Sequence, residues 1–222
     1  IAWACHRAGV LISLPRPRLT PSVRRLLRLM APGLLGAGVV QVNLVIDVIL
    51  ASLLAEGSVS YLYYADRVNQ LPLGVVGVAV GVALLPLLSR QLGSGDTEGA
   101  RASQNRAIEF SLLLTLPAAA ALIAIPHPII NVLFQRGAFD QTAAGATASA
   151  LAAFACGLPA YVLIKTLTPA FFAREDTATP VKIATTAMVA NVVLAVTLMQ
   201  FLAHVGIALA TALSAWLNVA LL

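Results

Sequence analysis

Apolar residues run in long blocks separated by short polar stretches, over about 29–54, 71–89, 107–133, 142–165, 181–201 and 205–222. Each block holds at least 18 residues, and crossing a hydrocarbon core of about 30 Å takes about 20 apolar residues as a helix. The pattern predicts an all-α, polytopic transmembrane bundle of about six complete spans. The block at 142–164 has no ionisable residue and is the clearest of them. The block at 107–133 holds Pro117, Pro126 and Pro128, so that span should bend or end early, because proline removes a helical hydrogen bond. Residues 1–14 are too short and, with Arg7 inside, wrongly flanked for a signal peptide. They read as the tail of a preceding span. The chain starts without methionine in one apolar stretch and stops at Leu222 in another, so both ends read as cut. The expected division is 1–28, the end of a span and a basic loop, and 29–222, the bundle.

Composition narrows the class. Hydrophobic residues make up 59% and charged residues 10%, with mean hydropathy +0.90; a soluble domain carries about 25% charged residues. A soluble globular fold is excluded. The net charge of +5 raises nucleic acid as a partner, but no soluble basic domain exists to carry such a site, and basic loops in a membrane protein have a topological cause. Threading through the spans places Arg7, Arg16, Arg18, Arg24, Arg25, Arg28, Arg90, Arg101, Arg106, Lys165, Arg174 and Lys182 on one side, against Arg67 and Arg136 on the other. Loops near residues 20, 98 and 175 are then cytoplasmic, and those near 60, 137 and 203 face outward. The arginines of the first loop would meet anionic lipid headgroups, and the protein would lie in the cytoplasmic (inner) membrane. Cys5 and Cys156 lie far apart without metal-ligand spacing, which argues for core fillers rather than a disulfide or zinc.

Smaller signals add detail. Gly93 to Thr97 form a turn cluster, and Glu98, Arg101 and Arg106 follow at helical spacing, as in a short interfacial helix leading into the next span. Gly33, Gly36 and Gly38, then Gly74, Gly77 and Gly81, recur within spans. Gly77 and Gly81 form a small-xxx-small pair that lets helices approach closely.

Ionisable residues inside hydrocarbon normally face the bundle interior and mark a site. Asp47 stands in an apolar run with Asn43 one turn before it; it is either a cation or proton site or a carboxylate bonded to neighbouring helices. Arg67 sits at the outer end of the second span, and its planar fork suits a diphosphate; the alternative is a surface pair with Asp66. Lys165 ends an uncharged block and can snorkel. His127 and His204 show no partner for acid–base or metal chemistry. No nucleophile set, phosphate-binding loop or carboxylate pair is present, so an enzyme is not expected.

The stretch YYADRVNQLPLG at 63–74 and the following GVAVGVALLPLLSRQ, with VLFQRGAFD at 132–140 and FFAREDTATPVKIA at 171–184, resemble the MurJ/MviN family of lipid II flippases across essentially the whole chain. The resemblance implies a member of the multidrug/oligosaccharidyl-lipid/polysaccharide exporter superfamily, whose fourteen helices form two six-helix lobes and a terminal pair. This chain would supply the end of helix 6 and helices 7 to 12, the second lobe. The first lobe would be its missing partner, and the fragment alone would not be a complete transporter.

The same resemblance implies a cationic cavity for the lipid diphosphate, to which Arg67 belongs, and a sodium site at Asp47, Asn191 and Thr211, all oxygen-bearing as a hard cation requires. Ala195 stands where the family pattern has a carboxylate one turn after Asn191, which removes a ligand. Gln70 replaces an acid found in some relatives. Apart from sodium, no cofactor is implied. The implied function is export of lipid II by alternating access. The other readings are a related exporter of drugs or other lipid-linked saccharides, and an inactive membrane scaffold for cell-wall proteins.

Overall fold

The computed structural model describes residues 21–137 and 139–222, with side chains at several positions between 22 and 37 left aside. The predicted tail at 1–14, Arg16, Arg18 and Cys5 lie outside the described residues. The described elements are helical: α1 (Pro21–Ser52), α2 (Ser58–Pro72), a π-helical turn (Leu73–Val78), α3 (Ala79–Gly93), α4 (Thr97–Ala124), α5 (Pro126–Phe134), α6 (Gln141–Ala173) and α7 (Ala178–Leu221). Four continuous stretches are long and apolar enough to cross a membrane: Ser58–Gly93, Thr97–Ala124, Gln141–Ala173 and Ala178–Leu221. Gly38–Ser52 of α1 is a shorter apolar helix.

The last stretch contains two of the predicted spans. Its helix breaks at Ala203, where φ is 48° and ψ is −130°. Beyond the break, Gly206 lies against the backbone of Leu198 and Met199, so closely that a Cβ would collide with the Leu198 carbonyl. Residues eight apart in a straight helix are separated by about 12 Å, so the chain folds back here. Blocks 181–201 and 205–222 are thus two segments joined at a sharp turn.

The second span is corrected. Its helix begins at Ser58, not near residue 71, because the polar run through Asp66, Asn69 and Gln70 is helical too. Arg67 is therefore not at the outer end. It lies about 14 Å along the helix from Ser58 at 1.5 Å per residue. The proline-rich span ends early, as the sequence predicts: α4 stops at Ala124, Ile125 leaves helical geometry with φ −128° and ψ 45°, and Pro126 opens α5, where its missing N–H costs nothing. The turn cluster caps α4, with the Asp96 carboxylate accepting from the Gly99 N–H at 2.8 Å. The expected interfacial helix is simply the first turns of α4.

α6 is the central pillar, packed against α7, α4, α2 and α3. Ala148, Ala150, Leu151, Ala155, Leu158, Ala160 and Val162 are wholly buried. Small residues let backbones approach in a membrane bundle, where there is little hydrophobic drive between helices. A Cβ on Gly157 would stand 2.8 Å from the Ala212 Cα, and one on Gly81 would stand 3.0 Å from the Lys165 carbonyl oxygen. Leu34, Val75, Val82, Leu113, Val132 and Phe201 are exposed, the apolar outside expected of a lipid-facing bundle. Cys156 is also exposed, which corrects its reading as a core filler.

The loops near 60, 137 and 203 gather at one end of the bundle and those near 98 and 175 at the other, as the threading predicts, while the residues before Pro21 lie outside the described ones. At one end the Tyr61 and His204 rings lie 5.5 Å apart, His204 Nε2 is 3.0 Å from the Ala146 carbonyl, and Tyr64 packs on Phe134 and Phe139. This gathers the loops near 60, 137 and 203, and it gives His204 the partner that the sequence did not reveal. At the other end Leu84, Leu88 and Ala100 pack with Ala170 and Ala173, bringing the loops near 98 and 175 together.

Candidate functional site

α1 leans on α7 and touches α2 only lightly. The gap between α1 and α2 is a groove of about 530 Å³. Asp66, Asn69, Gln70 and Leu73 line one wall of it; their spacing of three and four places them on one helical face. Asn43 of α1 stands opposite. Tyr161 and Lys165 of α6 and Asn191, Thr211, Ser214 and Asn218 of α7 form the floor. A smaller cavity of about 170 Å³ adjoins it, lined by Asp47, Asp66 and Thr211 among apolar neighbours.

The residues expected to hold a cation converge here. Asn191 Nδ2 donates to Asp47 Oδ1 at 3.1 Å and to Asn43 Oδ1 at 2.9 Å, while Asn43 Nδ2 donates to Asp47 Oδ2 at 3.2 Å. These bonds tie α1 to α7. Thr211 shares both cavities with this cluster, and its hydroxyl donates to the Ile207 carbonyl at 3.0 Å. Asn191 Oδ1 is buried without a partner. Turning that amide over would set an oxygen against Asp47 and Asn43, an arrangement that a cation between them, or a proton on Asp47, would stabilise. The donors are all oxygen, so the set fits a hard monovalent cation. Ala195 is wholly buried on the same helix and adds no ligand.

Arg67 is exposed on the same helix as Asp66. Its guanidinium lies 4.7 Å over the Tyr63 ring, and Nη1 donates to Gln70 Oε1 at 3.2 Å. Gln70 Nε2 in turn donates to the Asp66 carboxylate. Asp66 and Arg67 are thus linked through Gln70, in place of the direct surface pair considered from the sequence. The arrangement holds the guanidinium on one edge and leaves the others free. Lys165 is also relocated. Eight further residues of α6 follow it, so it does not end its span; it lines the groove.

Sequence reasoning did not single out Asn69, Tyr161, Ser214 or Asn218. Their one signal was polarity inside apolar blocks, which is weak for residues that can bond within their own helix. Outside the spans, Asp176 in the loop between α6 and α7 has its carboxyl pulled below the usual carboxylate range by hydrogen bonds from Thr179.

Comparison with known proteins places this arrangement. Residues 3–222 match the family model described as lipid II flippase MurJ. A probable lipid II flippase from Rhizobium meliloti is 50% identical over 223 residues, covering all of this chain and 42% of that protein. A solved structure of the lipid II flippase MurJ in an inward closed conformation superposes with TM-score 0.78 at 28% identity, over 96% of this chain and 46% of that one. A solved structure of a MOP superfamily transporter from Pyrococcus furiosus gives TM-score 0.78 at 19% identity, over 88% of this chain and 43% of that one, which shows a shared fold alone. The chain spans about two-fifths of the length of the curated relatives it matches. With a polar groove between helices, an exposed arginine beside the groove-lining Asp66 and a match along nearly its whole length, the chain belongs to the lipid II flippase MurJ family, a family of membrane proteins.

Proposed function

We propose that the full-length protein moves lipid II across the membrane by alternating access, this chain forming the lobe that carries Arg67. The observation behind this reading is the place of Arg67: exposed beside the groove-lining Asp66, about 14 Å from the start of a helix long and apolar enough to cross a membrane, it is a permanent cation in position to meet an anion. Gln70 and Tyr63 fix its plane, which prepares a bidentate grip on phosphate oxygens. The π-helical turn at Leu73–Val78, next to Pro72, interrupts the same helix just below, and such turns are common where a helix must bend at a functional site. Rocking of one lobe against the other would carry the headgroup past that point.

Sodium is the proposed coupling ion, held by Asp47, Asn191 and Thr211 with Asn43 beside them. When bound it would replace the amide bridge as the tie between α1 and α7, so binding and helix position are linked.

Arg67→Ala and Arg67→Lys in the full-length protein test the first part. Alanine should abolish complementation of a flippase-depleted cell, and lysine, lacking the planar fork, should restore it partly at best, with both proteins at normal abundance. Full function of Arg67→Ala would overturn the assignment.

A further inference from the structure

Lys165 is the one lysine that lines the groove, and the proposed mechanism leaves it unused. Four observations converge on it. Its side chain has no hydrogen-bond or ion-pair partner among the described residues, although it lies within a helix of membrane-spanning length. It lines both the groove and a second cavity of about 520 Å³ between α1, α3, α6 and α7, so it stands where the two meet. The helix facing it packs closely on its stem and backbone: a Cβ on Gly77 would stand 3.5 Å from Lys165 Cγ and one on Gly81 would stand 3.0 Å from the Lys165 carbonyl oxygen, so the stem is held in contact while the ammonium is left to the cavities. Asp66, the carboxylate among the groove-lining residues, accepts a hydrogen bond from Gln70.

Lys165 is exposed on a helix of membrane-spanning length, and an ammonium there without a counter-charge is stabilised by water or by an anion that arrives. We propose that Lys165 is a second anion-binding residue of this lobe, one that takes a phosphate oxyanion of the lipid-linked substrate when the headgroup moves past Arg67. The proposal rests on the transport reading above and deepens it. Lysine suits a passing phosphate: its ammonium is a compact point charge on a flexible stem, with no fixed fork to align.

The full-length protein in nanodiscs tests this, with binding of a polyprenyl diphosphate measured by native mass spectrometry in neutral phosphatidylcholine and again with phosphatidylglycerol added. Lys165→Gln should weaken binding about tenfold to a hundredfold, the range of one charge-assisted hydrogen bond, while Lys165→Arg stays near wild type. A Lys165→Cys protein with its other cysteines replaced should bind weakly. It should recover when an aminoethyl thiol reagent restores the positive charge, and not with a sulfonatoethyl reagent. Because these two adducts start from one folded protein, misfolding cannot imitate the result. Wild-type affinity in Lys165→Gln overturns the proposal, as does a loss seen only when phosphatidylglycerol is present, which would make the anion a bulk phospholipid. An Asp66→Asn variant that loses as much binding, with no further loss in the double variant, overturns it in favour of pairing with Asp66. If the wild-type protein binds neither lipid II nor a polyprenyl diphosphate, the transport reading itself falls.

Discussion

α6 and α1 cross the same bundle under opposite rules. α6 is enclosed by α7, α4, α2, α3 and α5, and most of its middle is buried alanine, glycine and leucine. α1 exposes Val40, Val42, Leu44, Val45, Val48 and Ile49 and is fastened to the rest chiefly along α7, where Asn43 and Asp47 bond Asn191. Close small-residue packing gives many weak contacts that all demand one geometry. A polar tie gives few contacts, each of which an ion or water can replace. The contrast separates a part built to stay rigid from a wall built to move.

The most damaging test of that contrast adds bulk to the pillar. Gly157→Leu would push a side chain into the Ala212 backbone and the Tyr161 ring, both 2.8 Å from its Cβ. The loss should be about 1–3 kcal/mol or more, as for overpacked cores, with lower membrane abundance and a lower Tm in detergent. The matching change on the groove wall, Gly74→Leu, meets nothing within 4 Å and should leave Tm near wild type while narrowing the groove. Equal losses at the two glycines would erase the distinction.

The pillar was legible in the sequence and the wall was not, for a physical reason. A helix enclosed on all sides is apolar on all sides, so the block at 142–165 announced itself. α2 faces a cavity, and Asp66, Asn69 and Gln70 interrupt its hydropathy, so the sequence pattern leaves out all of α2 before Leu71 and puts Arg67 at an end of the helix that it does not occupy. The break before Pro126 could be foreseen because proline acts locally. Asp47, Asn191 and Thr211 were joined by family resemblance alone. Nothing in their spacing brings α1 to α7, a contact that only tertiary packing creates.

A smaller effect is expected at the polar tie. Asp47→Asn keeps size and can still accept from Asn191, so abundance and Tm should stay near wild type. The missing charge should weaken sodium dependence of transport about tenfold, a coupling of about 1.4 kcal/mol. Transport titrated against sodium at fixed membrane potential measures this. An unchanged sodium response would make the carboxylate a structural tie, and α1 would then be held as firmly as α6.

The smallest effect should come from the loop that joins α6 to α7, the helix to which α1 is tied. Asp176 accepts from the Thr179 backbone N–H at 3.0 Å at the start of α7, and hydrogen bonds from Thr179 hold its carboxyl below the ordinary value of 3.8. A carboxyl whose pKa is lower folded than unfolded binds protons more readily when unfolded. Its stabilising contribution is therefore complete above the unfolded value and disappears as pH falls through the folded one. Exposure and solvent screening keep that contribution small. Tm measured in detergent from about pH 7 down to about pH 3 should show Asp176→Asn slightly below wild type at the neutral end, with the gap closing only at the acid end. A constant gap across the whole range would mean that the side chain's shape, and not its charge, anchors the first turn of α7.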